Sequence, residues 1–206
     1  MSRRVQKVVH QLTDQSYVEF WPKVISCSKE EFNEFWELHP EDHHEIMIMG
    51  KLTPIPRFQK LYGVGSYKFS GTVMLGDPEI PDLVNRCLEL ARRLYPDFHD
   101  GWNGALVNWY ADGSHYIGPH SDDTRDLVPG APILSFSFGA VRTFRVKKKT
   151  TAVDDDEVQK MDFSTEPGSL LAMCGNGFQR EYKHEITKTA KAIGPRINVT
   201  IRCFKE

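Results

Sequence analysis

His120-Ser121-Asp122 is a His-x-Asp triplet. On an extended segment, positions i and i+2 project to the same side, so an imidazole and a carboxylate can share one metal ion. The triplet alone decides little: with 8 histidines in the chain, about half of comparable sequences would carry one by chance. His39-Pro40-Glu41 and His43-His44-Glu45 offer His-x-Glu pairs too, but the polar stretch 39–45 lacks flanking strands and reads as a solvent-exposed loop. A two-histidine, one-carboxylate face needs a third ligand. His184 is the candidate, because it follows an apolar strand at 169–173 and precedes Ile186; a surface strand histidine is the alternative.

The second constellation is Arg196-Ile197-Asn198-Val199-Thr200-Ile201-Arg202. Its polar side chains fall at strict period two, so they share one face of a strand while Ile197, Val199, Ile201 and Cys203 share the other. An exposed sheet face is the plain reading of such alternation. This composition, however, is expected in only roughly one chain per thousand. Two guanidiniums on one buried face would repel unless an anion lay between them, and arginine grips carboxylates bidentately. The face therefore suits a dicarboxylate. Asn108 and Tyr110, at i and i+2 on a strand just before the triplet, could present an amide and a phenol to the same anion.

Most of the elements that must hold these groups read as strands. Ala105–Tyr110, Ile133–Phe138, Thr143–Val146, Ser169–Met173 and Ile197–Cys203 are short, rich in β-formers and bounded by Gly, Pro or Asp. Ser135, Ser137 and Gly139 alternate with Leu134, Phe136 and Phe138, which gives that strand one small polar face. Two helices precede the main run of strands. Ser28-Lys29-Glu30-Glu31 is a capping box opening a helix with Phe32, Phe35 and Trp36 on one face. Ile80, Leu83, Val84, Cys87, Leu88, Ala91, Leu94 and Tyr95 recur at helical spacing until Pro96. Helices followed by strands imply an α+β fold, with helices buttressing one face of an antiparallel sandwich.

The chain has 206 residues, a net charge of −2 and 4 scattered cysteines with no C-x-x-C pair. One medium domain is expected, without a zinc ribbon or a disulfide framework, in a reducing compartment. No apolar run approaches the roughly 18 residues of a membrane span. Bulk charge does not announce a nucleic-acid binder, so such a role must rest on local patches. Arg142, Arg145, Lys147, Lys148 and Lys149 form a basic tip expected to meet phosphates, followed by an acidic stretch over 150–166.

In this order, Asn108-x-Tyr110, His120-x-Asp122, His184 and Arg196-x-Asn198-x-Thr200-x-Arg202 resemble the AlkB family of iron(II)- and 2-oxoglutarate-dependent dioxygenases. Pro56-Arg57-Phe58-Gln59, Tyr62-Gly63, Tyr67 and Phe69-Ser70-Gly71 resemble the nucleotide-recognition lid of its nucleic-acid-repair branch. Pro129–Ile133, Ser137–Ala140 and Gly168–Leu171 resemble strands of its core. The likeness spans residues 45–204 and points to the animal DNA-repair homologues. It implies an α+β fold whose core is a double-stranded β-helix, or jelly roll, with the metal at one mouth. Residues 1–44 would form an N-terminal extension with one amphipathic helix. Residues 45–206 would form the dioxygenase domain, with a lid at 45–75.

The same resemblance implies that His120, Asp122 and His184 hold Fe(II), with 2-oxoglutarate and O2 at its open positions. Arg196, helped by Tyr110 and Asn108, would grip the far carboxylate of 2-oxoglutarate; Arg202, Thr200 and Asn198 would fix its near end and support the ligands. The implied reaction is oxidative demethylation of bases such as 1-methyladenine and 3-methylcytosine in DNA. RNA demethylation, or an inactive nucleic-acid-binding module, are the alternatives. The base must leave its stack to reach the metal. Tyr67 and Phe69 match lid positions beside it, and Asp123 matches an acidic residue facing the base, a turn residue being the other reading. Thr124 stands where relatives often carry Glu. Met49, Gly50 and Lys51 occupy the stretch where duplex-acting relatives carry an apolar finger, with Met49 in the wedge position; a buried edge strand is the alternative. A monomer acting on single-stranded DNA in preference to duplex is expected, intracellular, nuclear in a eukaryote and without a membrane contact.

Overall fold

The computed structural model describes residues 6–48, 50–63, 66–69, 72–149 and 160–205, without the side chains of Ile48, Lys68, Phe69 and Thr72. In chain order come β1 (Val8–Thr13), β2 (Ser16–Trp21), α1 (Lys29–Trp36), β3 (Glu45–Ile48), β4 (Lys51–Pro54), β5 (Phe58–Gly63), β6 (Ser66–Phe69) and β7 (Thr72–Leu75). They are followed by α2 (Asp82–Leu94), β8 (Trp102–Tyr110), β9 (Ile117–His120), β10 (Ile133–Gly139), β11 (Arg142–Lys148) and β12 (Lys160–Thr165). β13 (Leu170–Cys174), α3 (Phe178–Glu181), β14 (Tyr182–Ile186) and β15 (Arg196–Cys203) complete the chain.

A seven-stranded sheet runs in the order β1-β2-β13-β10-β15-β8-β5, and a four-stranded sheet in the order β12-β11-β14-β9. The named pairings within both are antiparallel. This is the sandwich of a double-stranded β-helix, with helices on its outer side. Two hairpins, β3–β4 and β6–β7, stand apart as two-stranded sheets in the stretch expected to form the lid.

Alternation on β15 sets the layers. Ile197, Val199, Ile201 and Cys203 join one apolar cluster with Leu83, Val84, Cys87, Leu88 and Ala91 of α2. The opposite face carries Arg196, Asn198, Thr200 and Arg202, and these too are buried. The strand is therefore central and covered on both sides, and its polar row is not an exposed face. α1 forms as its capping box requires: Glu31 N donates to Ser28 Oγ at 3.1 Å and Ser28 N to Glu31 Oε2 at 2.6 Å. Phe35 anchors it on Trp109 of β8, whose indole N–H donates to the Phe35 carbonyl at 3.1 Å.

Two expectations need correction. The expectation for residues 1–44 is an extension with one amphipathic helix, yet β2 pairs with β13 and brings β1 with it into the large sheet. The stretch 39–45 is not a freely solvated loop. The rings of His39 and His43 each stack on Phe58 at 4.3 Å, and His43 also meets His115 at 5.3 Å.

Candidate metal and anion site

His120 ends β9 and His184 lies on the neighbouring β14, directly opposite it in register. Their ring centroids are 4.3 Å apart. Asp122 lies just past β9, where the chain has left the sheet and turned inward, and it is buried. One ligand atom from each of these residues lies within 4.8 Å of the others. His120 Nδ1 sits 2.9 Å from the Gly118 carbonyl, which makes that nitrogen the N–H and leaves the Nε2 lone pair for a metal.

Asp122 is oriented by Arg202, whose Nη2 donates to Oδ1 at 2.6 Å. The other oxygen, Oδ2, is buried without a hydrogen-bond partner and stands 3.6 Å from His184 Nε2. Burial alone would raise this carboxyl, but the Arg202 guanidinium beside it, through its charge and its hydrogen bond, holds it well below the usual carboxylate range. Burial pushes the His184 imidazole down to about 3, helped by the neighbouring His120. His120 is lowered for the same leading reason. Two neutral imidazoles and one ionised carboxylate oxygen, converging without protons between them, fit a divalent cation such as Fe(II).

Behind the triad the large sheet presents its polar row. Register pairs Arg196 with Tyr110, Asn198 with Asn108, and Asn108 with Gln59. Asn108, Tyr110, Ser135, Asn198, Thr200 and Arg202 line an inner cavity of about 40 Å³ that also reaches His120, Asp122 and His184. Asn198 donates to Ser135 Oγ at 2.9 Å and to the Phe136 carbonyl at 2.7 Å, and accepts from Thr200 Oγ1 at 3.0 Å. These two side chains stiffen the wall. Arg196 is fully buried, with its guanidinium 5.1 Å from the Tyr110 ring and Nη2 donating to Ser137 Oγ at 3.0 Å. Its Nε and Nη1 have no partner, and burial pushes it down to about 10, so it remains a cation at neutral pH. Among the described residues it forms no ion pair.

An outer cleft of about 570 Å³ opens over His120 and Asp122. Ile46 and Thr53 of the β3–β4 hairpin, Tyr67, Tyr116, Asp123 and Arg125 contribute to its walls. Tyr67 is buried with its ring 5.2 Å from the Arg202 guanidinium. Asp123 is held by Arg125, whose Nε lies 3.0 Å from each carboxylate oxygen. Gly50, with φ of +79°, turns the β3–β4 hairpin, and Lys51 begins its return strand, exposed. Met49 and the Phe69 side chain lie outside the described residues.

The basic tip is largely committed elsewhere. Arg142 is buried and donates to the carbonyls of Asp112, His115 and Thr187. Arg145 pairs with Asp162 at 2.7 Å, and Lys149 donates to the Gln179 carbonyl at 2.8 Å. Two further residues bear on the site. Arg57, buried between the two cavities, donates from Nε to Asn108 Oδ1 at 2.9 Å and from Nη2 to Gln59 Oε1 at 3.1 Å. Arg57 and Gln59 belong to the Pro56–Gln59 stretch that the family resemblance marks, but their tie to Asn108 depends on β5 lying beside β8. Gln179 is the other, and its sequence neighbourhood carried no such mark.

A double-stranded β-helix with a two-histidine, one-carboxylate triad at its mouth defines a class of non-haem oxygenase scaffold. The chain belongs to the 2OG-Fe(II) oxygenase superfamily, whose family model matches residues 13–202. It is related to animal AlkB homologues. It is 35% identical over 161 residues to the human DNA oxidative demethylase ALKBH2, covering 76% of this chain and 60% of that protein. The mouse counterpart is 33% identical over 165 residues, covering 77% and 66%. The mouse alpha-ketoglutarate-dependent dioxygenase alkB homolog 3 is 31% identical over 153 residues, covering 72% and 52%. The chain thus spans 52% to 66% of the length of these relatives. A solved structure described as "The structure of OsALKBH1" shares the fold, with a TM-score of 0.54 at 18% identity over 95% of this chain and 99% of that one. No helix among the described residues is long and apolar enough to cross a membrane.

Proposed function

We propose that this chain is an Fe(II)- and 2-oxoglutarate-dependent dioxygenase that removes N-linked alkyl groups from nucleic-acid bases, with 1-methyladenine and 3-methylcytosine in DNA as its substrates. His120, Asp122 and His184 hold the metal. Arg196, with Tyr110 and Asn108, grips the far carboxylate of 2-oxoglutarate, and Arg202, Asn198 and Thr200 support its near end and the ligands. The metal with 2-oxoglutarate and O2 supplies the power to hydroxylate an inert N-alkyl carbon, yielding succinate and carbon dioxide, after which that carbon leaves as an aldehyde and the base is restored.

The observation that carries this reading is Arg196. A wholly buried guanidinium with two orphaned nitrogens and no carboxylate partner among the described residues is costly. A bound anion on the inner side of the cavity offsets that cost, and a dicarboxylate reaching from there to the triad meets both needs. The outer cleft, walled in part by Ile46 and Thr53 of the hairpin, has room for a base turned out of its stack. Tyr67 and the ring of His120 flank the place for it. The Asp123 carboxylate at the rim suits a cationic lesion. The proposed enzyme acts as a monomer, inside the cell and in the nucleus of a eukaryote, on single-stranded DNA in preference to duplex.

The test is incubation with iron, ascorbate and 2-oxoglutarate of single-stranded and duplex DNA and RNA oligonucleotides carrying 1-methyladenine or 3-methylcytosine. Mass spectrometry reads the loss of one methylene mass. Loss from DNA, dependent on 2-oxoglutarate, supports the reading; loss confined to RNA moves the substrate; loss from none overturns the dealkylation.

A further inference from the structure

Asp122 sits beyond the end of β9, in a segment without regular structure. Its backbone N–H has no neighbouring strand to receive it, and a buried backbone donor must find an acceptor. That acceptor is a side chain: Gln179 Oε1 takes the Asp122 N–H at 2.9 Å. The Gln179 amide is oriented from its other end, where Nε2 points at Met173 Sδ at 3.6 Å. Its own backbone carbonyl accepts from Lys149 Nζ at 2.8 Å.

Gln179 lies on α3, a single turn inserted just before β14. Phe178 anchors that turn in the core and packs on Tyr182 at 5.7 Å. Tyr182 begins the strand that carries His184, and its carbonyl accepts from Ser121 Oγ at 2.8 Å. The stretch 178–182 therefore grips the His-x-Asp segment at two consecutive residues while feeding the strand of the second histidine. A second cavity of about 570 Å³, which shares Asp122 and Arg125 with the outer cleft, is lined by Gln179. The side chain stands between that space and the backbone of the ligand.

We propose that Gln179 is a positioning residue of the metal centre: its carbonyl oxygen fixes the backbone from which the Asp122 carboxylate projects. The inference rests on the triad being the metal site. Arg202 sets the rotation of the carboxylate from one side, and Gln179 sets the height of its backbone from the other. Loss of such an outer partner weakens metal binding by about 10- to 100-fold.

The experiment measures Mn(II) binding by electron paramagnetic resonance, without 2-oxoglutarate or oxygen, on the full chain. The variants are Gln179→Met, Phe178→Leu and His120→Ala, each with its thermal midpoint. Gln179→Met keeps the length and removes the acceptor; it is expected to weaken Mn(II) affinity at least about tenfold, and to lower the midpoint as well, because the Asp122 N–H is left without its acceptor. Phe178→Leu loosens α3 but keeps the acceptor, and is expected to lower the midpoint while leaving Mn(II) affinity within about twofold. Parent-like affinity in Gln179→Met overturns the inference. So does equal weakening in Phe178→Leu, which would make the effect one of general packing. Parent-like affinity in His120→Ala would instead remove the triad reading itself.

Discussion

Arg202 and Asp122 form a buried ion pair whose geometry divides the two carboxylate oxygens between different tasks. Oδ1 receives the guanidinium at 2.6 Å, while Oδ2 is left bare toward His184. The arginine neutralises the carboxylate in the absence of a metal and helps to keep it ionised, its charge and hydrogen bond opposing the burial that would otherwise favour the acid. Arg202 is also the last member of the polar row on β15, so one strand ties the anion wall to the metal triad.

Arg202→Met should expose the cost of that arrangement. Removing one partner leaves a buried carboxylate alone, which destabilises a fold by about 3–5 kcal/mol. Chemical denaturation of the metal-free protein should show a loss of that order, and Mn(II) should recover more stability in the variant than in the parent by neutralising the stranded charge. Equal recovery in both would mean that Asp122 does not face the metal.

Arg196→Met should do the opposite. Here the parent carries the unpaired charge, so a side chain of similar length without charge should stabilise the empty protein, by about 1–4 kcal/mol. Adding 2-oxoglutarate should raise the thermal midpoint of the parent and leave that of the variant unchanged. Arg196→Lys keeps the charge but loses the fork, so its KM for 2-oxoglutarate should rise while that for nucleic acid stays close to the parent value. A shift confined to the nucleic-acid KM would assign Arg196 to a different anion.

His44 and His115 should make stability depend on pH. His44 and His115 both lie below the ordinary histidine range, through burial first, then the charge of Arg57 for His44 and of His43 for His115. His115 Nδ1 accepts the Ala111 N–H at 3.2 Å, a bond that protonation would abolish. With the folded-state values depressed, the unfolded chain binds more protons below its ordinary pKa of about 6.5. Their contribution is therefore complete above that pH and is lost as pH falls below it. The urea midpoint of the metal-free protein should drop between about pH 7 and pH 5, and His115→Gln should flatten the drop. An unchanged slope would return these rings to simple packing.

The period-two row on β15 was legible because alternation on a strand is a local property, and the same holds for the His-x-Asp pair and the capping box of α1. What was not legible depended on distant partners. β2 is a strand because β13, far along the chain, lies beside it. His39 and His43 look solvated until Phe58 is placed between them. Arg145 looks like a phosphate contact until register sets Asp162 opposite it, and the backbone carbonyls that absorb Arg142 come from separate loops. Gln179 acts through the backbone of Asp122, a bond that no residue type announces.

The proposed strand preference can be tested at Met49. On the β3–β4 hairpin Ile46 and Thr53 stand opposite each other and face the cleft, while Met47 and Leu52 form the next pair, at 55% and 54% exposure. An apolar side chain at position 49 that entered the duplex would fill the gap left by an extruded base, and unstacking costs a few kcal/mol. Methionine lacks the flat face of an aromatic ring. Met49→Phe should raise activity on duplex DNA and leave activity on single strands nearly constant, and Met49→Ala should lower duplex activity alone. A matched loss on both substrates would remove the wedge role.

The most direct measurement is anaerobic addition of 2-oxoglutarate to the Fe(II)-loaded protein, followed by visible absorption. With His120, Asp122 and His184 on the metal and Arg196 on the far carboxylate, a charge-transfer band should grow and saturate in the parent. It should be missing in His120→Ala, and in Arg196→Met it should need far more 2-oxoglutarate. No band in the parent, or a parent-like band in His120→Ala, would contradict the assignment of the triad and its anion pocket.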